Sequence, residues 1–333
     1  MDAWDRLIPR DSSVYREFAR LHRIAHTLLG SPVDRWSGDL YALAPGTWGG
    51  FDPRTSAVRL AEDRVLRYLT GSTSPDDPRK QAQALATVLH EATHTGMATD
   101  APDEPNAVRS AHSLGIMEGV AELRAVEDFA LFSRTAGYRD LGYFQPEYPA
   151  AYSATDSLVN QASGISVPRR QLLDTVFRGP GAMHFDQFAD AVLRNRLSEV
   201  VPDRADHRQA VRAALIPSLA HPYWPTIRQR PLEAGEHLAD EIRQNLNAKV
   251  DEIHRHYSFT PRTVFPAESP NAAAVRRESP ERRTGPEPPR FLDGQAPASG
   301  AVRAKPSLGD GARRIGGPAG PKVSLRPASR STE

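Results

Sequence analysis

Apolar residues recur every three to four positions along most of the first 258 residues, the spacing that lines one side of an α-helix. The stretch SSVYREFARLHRIAHTLLG opens on serines suited to cap a helix and closes on Gly30, which predicts a helix over about residues 12–29. Strand signals are scarce and fall in a glycine-punctuated segment, at SAVRL (residues 56–60) and around Leu40–Ala44, so only a small sheet is expected. After the turn signal GSTSPDDP, the run RKQAQALATVLHEATHTGM reads as a helix. Asp76 or Asp77 can cap it, Pro78 suits its first turn, and Leu85, Val88, Leu89 and Ala92 form its apolar stripe. Further helices are expected at about 108–134, 147–162, 169–177, 184–199, 206–219 and 232–257. The pattern predicts a predominantly α-helical α+β domain over residues 1–258, with no internal repeat.

The periodicity stops near Ser258. Residues 259–333 are rich in Pro, Gly, Ser and Arg, and carry 13 Lys and Arg against 7 Asp and Glu, although the whole chain is only +1. A segment of that composition buries too little apolar surface to offset the entropy of ordering it, so it is expected to be a disordered basic tail. As a docking arm it would suit an acidic partner, while as a solvated tail it needs none. The chain has no cysteine, so any metal must be held by imidazole and carboxylate. Neither an apolar span nor a secretory leader is visible at the start. The cytoplasm is the expected address, with export by a specialised route left open.

The candidate chemistry lies in TVLHEATHTG. His90 and His94 are four residues apart on a predicted helix and so can point at one ion, while Glu91 lies about 100° around the helix beside it. This is the HExxH pattern, in which two histidines hold Zn2+ and the glutamate is a general base. A catalytic zinc needs a third protein ligand. In AHSLGIMEGVAELRAVEDFALF, Leu114, Met117, Ala121, Ala125 and Phe129 define an apolar stripe with Glu118 and Glu122 at its edge, one turn apart. Two inward-facing carboxylates call for a reason. Asp100, six residues after His94, is a competing ligand, but a turn there needs glycine where the chain has Met97. His112 is nearer in sequence to His94 but on a different face from Glu118.

His90-Glu91-Ala92-Thr93-His94 followed by MEGVAE resembles the gluzincin metallopeptidases, the superfamily of thermolysin and related zinc aminopeptidases. The resemblance covers residues 85–123. It implies a zincin-like fold, Glu118 as third zinc ligand, and Glu122 as the acid that fixes the tautomer of His90. It also implies hydrolysis of a peptide or protein substrate aligned by an edge strand, for which SAVRL is the candidate. A downstream His or Tyr commonly steadies the oxyanion. His184 in GPGAMHFDQF is the first candidate, with His221, Tyr223 and Tyr257 as others. Two alternatives stand beside this reading: a regulatory protease of the ImmA/IrrE kind, and a catalytically silent helical metal-binding or interaction protein working through its tail.

Overall fold

The computed structural model describes residues 5–268, apart from 45 and 73–76, together with residue 270. The chain from 271 onward, with most of the expected basic tail, lies outside the described residues, as does Asp76. Within them the protein is mostly helical with one small mixed sheet, as the pattern predicts.

Helix α1 (Ser13–Leu29) starts where the Ser12 side chain accepts the Tyr15 amide and ends at Gly30. Helix α2 (Pro78–Thr95) has Pro78 in its first turn, and Asp77 accepts the Lys80 amide. Then come α3 (Ala111–Thr135), α4 (Pro149–Ala162), α5 (Arg169–Arg178), α6 (His184–Val192), α7 (Ala205–Leu219) and α8 (Leu232–Phe259). The helix expected over 184–199 is shorter. After Val192 the backbone widens into a π turn at Leu193–Leu197.

The four-stranded sheet comprises β1 (Arg6–Leu7), β2 (Leu40–Leu43), β3 (Gly49–Asp52) and β4 (Ala57–Ala61) in the order β1-β2-β4-β3. β2 and β4 are parallel, with Leu40 opposite Val58, and β3 is antiparallel to β4, with Phe51 opposite Val58. SAVRL, expected at the edge, is therefore an inner strand. Its Ala57, Val58, Leu60 and Ala61 are buried, so both faces are covered. The edge beside the helices is β3, whose Gly49 and Gly50 read in the sequence as turn residues.

Helices α2 and α3 pack side by side, and both bury residues around most of their circumference. The reason α3 sits so deep is local. A methyl group at Gly119 would lie 1.9 Å from Thr155 Oγ1, and one at Gly115 would lie 2.0 Å from the Trp224 carbonyl oxygen. Glycine one turn apart thus lets α4 and the 3-10 turn Trp224–Gln229 press directly against α3. That close approach brings the start of α4 and Arg228 to the carboxylates of α3.

The packed chain also continues past Ser258. Phe265 is buried, and its amide donates to the Tyr257 hydroxyl at 3.2 Å. No described helix is long and apolar enough to cross a membrane.

Candidate metal centre

The last two turns of α2 present His90 and His94 on the side facing α3. Their Nε2 atoms lie 3.1 Å apart, and each is 3.3 Å from Glu118 Oε2. A tetrahedral ion with bonds of ~2.0–2.1 Å sets its ligand atoms about 3.3 Å apart. The triangle therefore has the dimensions of three zinc ligands, and the donor set, two imidazoles and a carboxylate, fits that ion. Arg228 Nη1 donates to Glu118 Oε1 at 3.1 Å, which holds the second carboxylate oxygen away from the triangle. Burial works against the Glu118 anion, but His94, hydrogen bonds with His90 and His94, and Arg228 outweigh it and hold the carboxyl well below its ordinary range. Burial lowers His90 and so favours the neutral ring that binds metals.

Behind this triangle stands Glu122. Its Oε1 is 3.5 Å from His90 Nδ1 and accepts the amides of Glu147 and Tyr148, each at 3.1 Å. One oxygen thus faces the back of the imidazole and anchors the entry to α4. Burial, with the charge of Glu147 adding to it, raises Glu122 to about 8. Glu147 itself is raised to about 7, by burial first and Glu118 next.

Glu91 is buried between α2 and β3. A methyl group at Gly49 would sit 3.2 Å from its Oε1 and 2.8 Å from Leu60 Cδ2, so only glycine lets the strand lie this close. Its Oε2 is shielded from solvent and hydrogen-bonded to nothing. Burial, then the charges of Glu118, Glu147 and Glu122, raise Glu91 well above the usual carboxylate range, against a hydrogen bond from the Phe51 backbone.

The structure thus brings together His90, Glu91, His94, Glu118 and Glu122. Among the described residues, the group in this region whose ligand atoms all lie within 4.8 Å of one another is His90, His94 and Glu118. Asp100 is not part of it, and instead accepts the Ala101 amide and the Arg109 guanidinium. His184 is 0% exposed, and burial holds it down to about 3. The ring is fully enclosed in this conformation, and neither of its nitrogens has a hydrogen-bond partner. The short 3-10 turn before His184 packs inward: residues 181–183 are buried and carry the start of α6 into the core. The other candidates are committed to packing pairs: His221 to Glu241, Tyr223 to His221 and Arg230, and Tyr257 to His207. His112 sits at the start of α3 against the Ser110 cap.

Three residues near the triangle had no signal in the sequence. Arg228 is 110 positions from Glu118. Glu147 and Tyr148 precede α4, and the Tyr148 ring packs edge-on against His90 with centroids 5.9 Å apart. Burial and the charges of Glu118, Glu147 and Glu91 raise the Tyr148 hydroxyl, so it remains a hydrogen-bond donor at neutral pH. No protein-family model, curated protein or solved structure matches this chain.

Proposed function

We propose that this protein is a zinc-dependent metallopeptidase with a zincin-like, gluzincin-type site. The observation that carries the reading is the 3.1–3.3 Å triangle of His90, His94 and Glu118 with the unpaired carboxylate oxygen of Glu91 buried beside it. His90, His94 and Glu118 would hold the ion. Zinc, when bound there, supplies a Lewis acid that polarises a carbonyl and lowers the pKa of water towards neutrality.

The remaining work falls to the chain's own groups. Glu91 is not needed to hold a metal, and burial with the neighbouring carboxylates raises its carboxyl, the direction that strengthens a base. Glu91 takes the proton of the attacking water and hands it to the leaving amine nitrogen. Glu122 keeps the His90 ring oriented with Nε2 inward. Tyr148, a protonated phenol packed on His90, joins His184 as a candidate donor to the oxyanion. Strand β3 ends the sheet and its Gly49 lies against Glu91, so its unpaired edge is the candidate to align an extended peptide by backbone pairing, which would make recognition tolerant of side chains.

Metal removal tests the reading. The zinc-loaded full-length chain should cleave members of a mixed peptide library, lose that cleavage on treatment with a chelator, and regain it with one equivalent of zinc. A zinc-replete protein that cleaves nothing would instead be a silent metal-binding protein.

A further inference from the structure

A second histidine–carboxylate cluster lies at the foot of the active-site helix. His22 and His26 are four residues apart on α1, with ring centroids 5.1 Å from each other. Asp34, in the segment after α1, places Oδ1 3.6 Å from His26 Nε2 and 3.9 Å from His22 Nε2. One ligand atom from each of the three lies within 4.8 Å of the others. The His22 side chain is 2% exposed and Asp34 47%, so the cluster is walled by protein on one side and open to solvent on the other. His26 Nε2 is shielded from water and hydrogen-bonded to nothing, an arrangement that folded proteins rarely leave without a reason.

We propose that His22, His26 and Asp34 form a second metal site, taking a divalent transition-metal ion of the zinc class in a structural role. Two imidazoles and one carboxylate favour zinc, cobalt, nickel or copper over calcium and magnesium, which prefer oxygen ligands. The histidine–carboxylate gaps exceed the ~3.3 Å of a closed tetrahedral site, and the half-exposed Asp34 side chain closes them by rotating inward. One contact has to be exchanged. The Thr95 hydroxyl donates to the Ala92 carbonyl, so His22 Nε2, 2.9 Å from Thr95 Oγ1, carries the proton between them. Coordination through Nε2 moves that proton to Nδ1 and gives up the Thr95 contact, which makes this the weaker of the two sites. Its place explains what it would do. The Arg35 amide donates to the Thr95 carbonyl at 2.9 Å, Arg35 Nη1 to Met97 O at 3.1 Å, and Ser31 Oγ to Gly96 O at 2.6 Å. An ion held by α1 and Asp34 fastens this clamp on the end of α2, directly after His94.

The test is a zinc titration of the full chain, free of any affinity tag and stripped of metal, by calorimetry with elemental analysis. Wild type should bind two equivalents, one tight and one weaker. Asp34→Ala should lose only the weaker event, and so should Asp34→Asn, which keeps an oxygen for the Trp36 amide that Asp34 Oδ1 accepts. Glu118→Ala should keep only the weaker event. Copper(II) added to Glu118→Ala should quench Trp36, whose ring centroid lies 4.7 Å from that of His22, and Trp36→Phe should remove that quenching. One equivalent in wild type that Glu118→Ala abolishes would overturn the proposal, as would two equivalents that survive in Asp34→Ala. One equivalent that persists in Glu118→Ala and disappears in Asp34→Ala would support this site and defeat the peptidase reading, so the two claims fail separately.

Discussion

The chain carries the same histidine spacing twice, as HEATH on α2 and HRIAH on α1, and the surroundings of the two differ at every other point. On α2 the acid comes from a neighbouring helix, and the ligand atoms are 3.1–3.3 Å apart. On α1 the acid comes from the coil after the helix, and its gaps are 3.6 and 3.9 Å. The residue after the first histidine is the buried Glu91 in one case and the exposed Arg23 in the other. Arg228 and Glu122 brace the α2 triangle from behind, and the edge strand β3 covers Glu91. Spacing of four residues is enough to pair two imidazoles. A buried carboxylate, a third acid braced by Arg228 and an adjoining strand edge set the α2 cluster apart, and these are the features on which the proposed hydrolysis rests.

The largest effect is expected at Glu118. Glu118→Ala should abolish cleavage and cost more zinc affinity than the ~10–100-fold expected for a residue behind a ligand. Asp100→Ala, which removes the acceptor of the Ala101 amide and of Arg109, should leave zinc binding as in wild type; competition with a chelator separates the two. Next comes the acid behind His90. Glu122→Ala should weaken zinc binding or cleavage by about 10–100-fold, and also loosen the entry to α4 by leaving the Glu147 and Tyr148 amides without an acceptor. Full affinity in that variant would mean that Glu122 serves only α4.

Smaller effects sharpen the limits of the folded unit. A chain cut after Ser258 should melt roughly 5–10 °C below one cut after Glu268, because only the shorter one lacks the buried Phe265. Equal melting temperatures would show that Phe265 contributes nothing. The smallest effect belongs to His22, which burial lowers from the ordinary 6.5 to about 4. Between those values the unfolded chain binds the proton and the folded one does not, so metal-free protein should lose stability as pH falls from 6.5 towards 4. His22→Asn should flatten that slope in denaturant titrations at a series of pH values.

Much of this was legible because it is local. Ser12, Asp77 and Pro78 mark helix starts that backbone chemistry dictates, and the inward position of Glu118 and Glu122 follows from the apolar stripe around them. What escaped the sequence depends on distant packing. Gly49 and Gly50 look like punctuation because the close approach of Gly49 to Glu91 appears only when α2 lies beside the strand. Arg228 and Tyr148 have no periodic pattern around them, and they arrive through the close approach that Gly115 and Gly119 permit. HRIAH reads as an ordinary amphipathic helix until the chain folds Asp34 onto it. His184 follows a glycine-rich turn of the kind that suggests a surface loop, yet that turn is buried.

If Glu91 moves a proton and holds no metal, its two possible roles come apart in a single variant. Zinc content and peptide cleavage should be measured on the same sample of Glu91→Gln. Zinc should equal wild type while cleavage falls by about 10²–10⁴-fold, the contribution expected of a general base. Zinc lost together with activity, or cleavage retained with zinc in place, would contradict it.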